Sequence, residues 1–308
     1  MSKVTIIGAG GVGCQLAFAT AFKKIKGLKE LALVDIVEGV PQGKALDLQQ
    51  ALAVVGSKIK VQGSNSYDIS KNSDIVVVTA GLPRKPGMSR EDLIGINSKI
   101  MSQIIPEVVK YSPSSILIVI TNPLDAMVKL AYKLSGFPKQ RVLGMAGVLD
   151  SARMKAFIAQ ELKTSPKKVH AVVLGSHGET MVPAISHSTV QGKPLTQVLS
   201  AEKIEAIINR TRNAGGEIIN LLKTGSTIFG PGLAIAEMIQ AILGDEKRVL
   251  VSSVLLQGEY GVQDLFVGVP VKLGKSGVEE IIQIPLQENE KAEFEKTVQK
   301  IKEVCQGI

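Results

Sequence analysis

Val4-Thr5-Ile6-Ile7-Gly8-Ala9-Gly10-Gly11-Val12-Gly13 opens the chain with a β-branched run that breaks into glycines and then into a helical pattern. The spacing is G-x-G-x-x-G, with a strand before it and a helix after it, which is the context a dinucleotide-binding turn requires. Gly8 permits the tight turn, Gly10 lets a pyrophosphate approach the backbone, and Gly13 lets helix and strand pack closely. The helix start offers free N–H groups and the positive end of its dipole to phosphates. Ala9, Gly11 and Val12 complete the cofactor-binding loop. Asp35 ends the next strand, 22 positions after Gly13. A carboxylate there accepts both ribose hydroxyls and repels a 2′-phosphate, which selects NAD over NADP.

Outward from this motif, short apolar runs at 4–7, 31–35, 59–62, 75–79 and 116–121 alternate with helical stretches such as 12–24, 43–54 and 92–111. The runs are apolar throughout, as strands buried on both faces should be. The expectation is an α/β fold whose residues 1–145 form a Rossmann, doubly wound parallel sheet. After about residue 146 the pattern changes. A helix over 150–162 precedes a strand over 169–174 and a strand pair around 182–190. Helices over 201–222 and 233–243 follow, then strands over 249–256 and 265–273, and a Lys- and Glu-rich helix over 288–305. Residues 146–308 therefore read as an α+β domain for substrate.

Bulk properties narrow the function. The 308 residues are 45% hydrophobic, enough for a large core and about two domains. Basic residues give a formal charge of +8 but are scattered, and aromatics make up only 4%, so nucleic-acid binding is not expected. No stretch approaches the roughly 20 apolar residues that span a bilayer, so no membrane partner is expected. The start MSKVTIIGAG lacks a signal-peptide pattern, and two distant cysteines, Cys14 and Cys305, imply no disulfide framework. The expected location is cytoplasmic, and no metal site is expected.

Three later segments carry chemistry. Ala80-Gly81-Leu82-Pro83-Arg84-Lys85-Pro86-Gly87-Met88-Ser89-Arg90 follows a strand, so it starts at the carboxyl edge where open α/β sheets bind ligands. Its prolines, glycines and arginines suit a lid that closes on an anion. Asp150 and Arg153, in Leu149-Asp150-Ser151-Ala152-Arg153, share a helix face. His177 stands at a strand end in Leu174-Gly175-Ser176-His177-Gly178-Glu179-Thr180. Of the three histidines, His170 begins a strand and His187 lies in a polar stretch, which leaves His177 as the acid/base candidate.

These motifs, with Thr121-Asn122-Pro123, occur in an order and over a span that resemble the malate/lactate dehydrogenase family along the whole chain. The forms RKPGMSREDL and VDIVEGVPQGKALDL resemble its malate-directed branch nearest the lactate enzymes. The resemblance implies His177 as proton donor and acceptor, Asp150 as the carboxylate orienting it, and Arg153 as the clamp on the substrate's C1 carboxylate. It also implies Arg90 polarising the reacting carbonyl, Asn122 bonding substrate beside the nicotinamide, Asn97 at the cofactor, and Arg84 pairing with a second carboxylate. A four-carbon dicarboxylate, malate or oxaloacetate, is then the expected small-molecule partner. In Lys223-Thr224-Gly225-Ser226-Thr227-Ile228-Phe229-Gly230-Pro231, Ser226 matches a pocket residue, while Ile228 and Gly230 depart from the family pattern.

Two rivals stand beside this reading. A lactate or broader 2-hydroxy-acid dehydrogenase is disfavoured by Arg84. A Rossmann-type binding protein without catalysis predicts damage at His177, Asp150, Arg153 or Arg90, and none is present. The stretches 43–55 and 232–243 are more apolar than burial within one subunit requires. The resemblance implies a dimer built from these helices and paired into a tetramer, so a homo-oligomer is expected, tetramer before dimer.

Overall fold

The computed structural model describes residues 2–83 and 89–308. The opening β-branched run forms β1 (Ser2–Ile7), and the glycine turn leads into α1 (Gly11–Phe22). Strand β2 (Leu28–Val34), helix α2 (Val40–Val54) and β3 (Lys60–Ser64) complete one βαβαβ half. The other half comprises β4 (Ile75–Val78), α3 (Arg90–Tyr111), β5 (Ile116–Val119), α4 (Leu124–Ser135) and β6 (Val142–Met145). The strands pair in the order β3-β2-β1-β4-β5-β6, all parallel. Strand order reverses between β1 and β4, and in such sheets ligands sit at the carboxyl ends of the strands beside that point.

The second half begins with α5 (Gly147–Glu161). The apolar run expected as one strand over 169–174 divides into β7 (Val169–His170) and β8 (Val173–Leu174). Strand β8 pairs with β9 (Val182–Pro183), whereas β7 joins β10 (Thr189–Val190) and β11 (Lys193–Pro194) in a separate small sheet. The Ser151 hydroxyl accepts the Val173 N–H at 2.9 Å and draws the second piece toward α5. Uniform hydrophobicity cannot report such a change of partner. Helices α6 (Leu195–Val198), α7 (Ala201–Leu222) and α8 (Phe229–Leu243) follow.

The remaining strands, β12 (Arg248–Gln257), β13 (Gln263–Gly274) and β14 (Gly277–Ile281), are antiparallel, and α9 (Glu288–Val304) ends the fold. Strand β12 pairs with β6 through Ser252–Met145 and Ser253–Gly144, so nine strands among the described residues make one sheet. Its apolar core accordingly runs through both halves, from Ile6, Val77 and Ile118 to Phe266 and Val271. A smaller cluster around Met154, Ile158, Val173 and Leu195 lies on the far side of α5. Leu149 on the same helix belongs to the larger core, so α5 is packed on two sides and Asp150, next to Leu149, is held rigidly. Among the described residues, no helix is long and apolar enough to cross a membrane.

Candidate active site

At the carboxyl end of β1 the glycines differ in what surrounds them. Gly8 adopts φ +105°, a conformation L side chains rarely take. A Cβ on Gly13 would stand 1.8 Å from the Gly8 carbonyl oxygen, so only glycine lets α1 start so close to the strand. At Gly10, by contrast, a Cβ would meet nothing within 4 Å. The space over Gly10, ahead of the free N–H groups of α1, is the cradle a pyrophosphate needs. Asp35 stands just beyond β2. Its Oδ2 accepts the Ala9 N–H at 2.7 Å and its Oδ1 accepts the Val37 N–H at 3.0 Å. A carboxylate has lone pairs to spare after two such bonds. The residues present therefore fit a dinucleotide with an unphosphorylated ribose.

Across the crevice, Asp150 lies in the first turn of α5 and is 1% exposed. Its Oδ2 accepts from His177 Nδ1 at 2.8 Å, and its Oδ1 accepts from Arg153 Nη1 at 3.2 Å. Burial by itself lowers the imidazole's pKa, and Arg153 lowers it too. The Asp150 charge and hydrogen bond, joined by the charge of Asp125, outweigh both and hold His177 above its ordinary 6.5. Asp125, on α4 three residues past Asn122, is itself pushed up to about 6 by burial, against the lowering effects of the Ser253 hydroxyl and of His177. Its Oδ1 accepts the Ser253 O–H at 2.7 Å.

The other candidates fall around this pair. Asn97 on α3 is fully buried, and its amide is used within the protein. Its Oδ1 accepts the Leu82 N–H at 2.8 Å, and its Nδ2 donates to the carbonyls of Leu82 at 3.2 Å and Asn122 at 2.6 Å. Asn97 thereby fastens Leu82 to the Asn122 turn, and Asn122 itself is exposed. At the start of α3, Ser89 and Asp92 form a reciprocal cap, with bonds of 3.0 and 3.1 Å. Arg84 and the side chain of Arg90 lie outside the described residues. Ser226 is half-buried between α7 and α8. The two departures from the family pattern lie close to the site: the side chain of Ile228 crowds Gly11, and Gly230 sits against Leu149. His187 bonds the Pro285 carbonyl, and His170 is exposed on an edge strand.

Asp125, Ser253 and Thr297 touch this site without having been expected there. The available signal was a polar residue inside an apolar stripe: Thr297 falls between Phe294 and Ile301 on the buried face of α9.

A dinucleotide cradle facing a carboxylate-bound imidazole and a guanidinium defines a hydride-transfer enzyme acting on a small anion. Residues 2–144 match the lactate/malate dehydrogenase NAD binding domain, and residues 147–307 match the alpha/beta C-terminal domain of the same proteins. A malate dehydrogenase of Thermomicrobium roseum is 50% identical over 306 residues, covering 99% of this chain and 98% of its own. The crystal structure of Cryptosporidium parvum malate dehydrogenase superposes with a TM-score of 0.95 at 44% identity, covering 99% of this chain and 98% of that one. A lactate dehydrogenase from C. parvum, solved with lactic acid and nicotinamide adenine dinucleotide, gives 0.95 at 38% identity, with 99% and 96% covered. The chain belongs to the lactate/malate dehydrogenase family, and its cofactor is NAD.

Proposed function

We propose that the chain is an NAD-dependent malate dehydrogenase, interconverting malate and oxaloacetate, a tricarboxylic acid cycle step, in the cytoplasm. The observation that carries the chemistry is the 2.8 Å contact between His177 Nδ1 and the buried Asp150. Relatives about 50% identical along the whole chain that bear the name malate dehydrogenase support the choice of substrate. Residues 1–145 hold the cofactor and residues 146–308 supply most of the acid/base machinery. NADH supplies the hydride when bound, and NAD accepts it.

With Nδ1–H donated to Asp150, the tautomer is fixed and Nε2 is the atom that exchanges a proton with the substrate oxygen. In the direction of malate formation the imidazolium gives that proton to the forming alkoxide. In the reverse direction neutral Nε2 removes it. Arg153 spends one Nη1 contact on Asp150, and its remaining N–H groups clamp the C1 carboxylate. Arg90 stabilises charge developing on the carbonyl oxygen. Asn122 donates to substrate, and Asn97 holds the Asn122 turn beside the cofactor.

Arg84 separates malate from lactate chemistry. With pyruvate in place of the diacid, the Arg84 guanidinium would be left without its carboxylate, at a cost of about 3–5 kcal/mol if buried, or roughly 10²–10⁴ in selectivity. NADH oxidation followed with oxaloacetate and with pyruvate tests the assignment. A strong preference for oxaloacetate that Arg84→Gln shifts toward pyruvate is expected. Equal use of both oxo acids by the native enzyme would replace malate with the broader 2-hydroxy-acid reading.

Large apolar side chains stay in water on one subunit: Phe18, Leu46, Val54, Phe229 and Leu233, from 46% to 86% exposed. They lie on α1, α2 and α8, and they support a homo-oligomer, tetramer before dimer.

A further inference from the structure

Asp150 fixes one atom of His177, but an imidazole anchored only at Nδ1 still swings if the backbone beneath it moves. That backbone is the loop from Gly175 to Thr180, whose Gly178, Glu179 and Thr180 are exposed. Gly175 is tied to β13 by two bonds with Gly268, at 2.8 and 2.9 Å. Beyond it the His177 backbone bonds Asp125 of α4, and the two ends of the loop are supported from α9, more than a hundred residues away in sequence. Thr297, fully buried on that helix, accepts the Ser176 N–H at 3.4 Å and donates its own O–H to Thr180 Oγ1 at 3.0 Å. The Thr180 and Ser176 hydroxyls are 2.8 Å apart. With the Thr297 proton given to Thr180, the Thr180 proton goes to Ser176, and one ordered ring closes both ends of the loop around His177.

The packing is built for this approach. Gly175 has φ +83°, and a Cβ on it would come within 2.7 Å of Thr297 Cγ2, so a side chain there would push the helix away. Helix α9 is fastened over the two turns that precede the contact. Glu290, 4% exposed, accepts the Ser186 N–H at 2.9 Å and the Ser186 O–H at 2.6 Å. Arg212 of α7 joins Glu293 of α9 at 2.8 Å and the Met181 carbonyl at 3.2 Å.

We propose that Thr297 is a positioning residue: its hydroxyl closes the loop that carries His177 and holds the imidazole in register with Asp150. The inference rests on the assignment of His177 as the acid/base. The charged groups facing the imidazole are Asp150 and Arg153 from α5 and Asp125 from α4. A loop that loosens weakens the hold of Asp150 most, so the imidazole pKa drops back toward the ordinary value.

Thr297→Val keeps the side chain's shape and removes the hydroxyl, and Thr297→Ser keeps the hydroxyl. Thr180→Ala opens the same ring from its exposed side. In the full-length protein, imidazole titration by NMR, with the His177 signal assigned by its loss in His177→Asn, should move to lower pH in the Val and Ala variants. It should stay at the native value in the Ser variant. Malate turnover should fall roughly 10- to 100-fold in the Val and Ala variants while the NADH Kd holds, the loss typical of a misplaced catalytic group. Native titration and native kcat in both variants would overturn the proposal, and so would a Ser variant as impaired as Val. A native enzyme inert toward malate and oxaloacetate would instead remove the functional reading, and the titration would still decide whether Thr297 holds the loop.

Discussion

His177 and Asp150 share one short contact, and the protonation of the imidazole follows from what surrounds it. With His177 in its proposed acid/base role, oxaloacetate reduction needs the imidazolium, so its rate should fall as pH rises through the His177 pKa, which lies above 6.5. Asp150→Asn removes the charge that raises this value. The variant should move the limb to lower pH and lose roughly 10²–10⁴ in kcat/KM, as pH profiles of the two enzymes will show. Asp125 gives a second prediction, read in stability. Its folded pKa of about 6 exceeds the reference 3.8, so the folded chain keeps a proton that the unfolded chain has released. That contribution is fully present below about pH 4 and is lost as pH rises through about 6. Asp125→Asn keeps a partner for Ser253 without a buried charge. It should raise stability above pH 6 by at most about 3 kcal/mol, measured by denaturant titration across that window. His177, Asp150 and Arg153, which the structure brings together, could be named as candidates from the sequence because each lies within a short motif. Asp125 and Thr297 escaped because their partners, Ser253 and Ser176, are 128 and 121 positions away, and no local spacing encodes such contacts.

The glycine turn between β1 and α1 separates folding from binding within six residues. Gly13→Ala forces a Cβ against the Gly8 carbonyl, which neither strand nor helix can yield without moving. It should destabilise the protein at the upper end of about 1–3 kcal/mol in urea denaturation. Gly10→Ala meets open space, and its backbone, at φ −73° and ψ −168°, accepts any L residue. This variant should fold with native stability but bind NADH at least tenfold more weakly, about 1.4 kcal/mol by calorimetry. Equal Kd values for Gly10→Ala and the native chain would remove the pyrophosphate from this turn. Five of the six parallel strands were readable because burial on both faces makes them apolar runs; β6, only four residues long with Gly144 inside it, was missed. The division of 169–174 was not, since hydrophobicity gives burial but not hydrogen-bond partner. Strand β14 was also missed: Gly277-Val278-Glu279-Glu280-Ile281 is short and half polar, and it forms because β13 offers it an edge.

At the scale of the molecule, Leu46 and Val54 on α2 are 62% and 86% exposed in the single subunit. A Leu46→Glu, Val54→Glu double variant should sediment as a smaller species than the native protein while keeping its secondary structure. Unchanged sedimentation would take α2 out of the subunit contact. The pairing of β12 with β6 has a different consequence. Many two-part enzymes admit substrate by opening like jaws about a flexible waist, but here the waist is a row of backbone hydrogen bonds through buried Ser252 and Ser253, within a continuous apolar core. The halves cannot swing apart without tearing the sheet. Entry and exit of the diacid must therefore be managed by surface segments alone, and amides on either side of this seam should exchange with deuterium together, on the timescale of global unfolding.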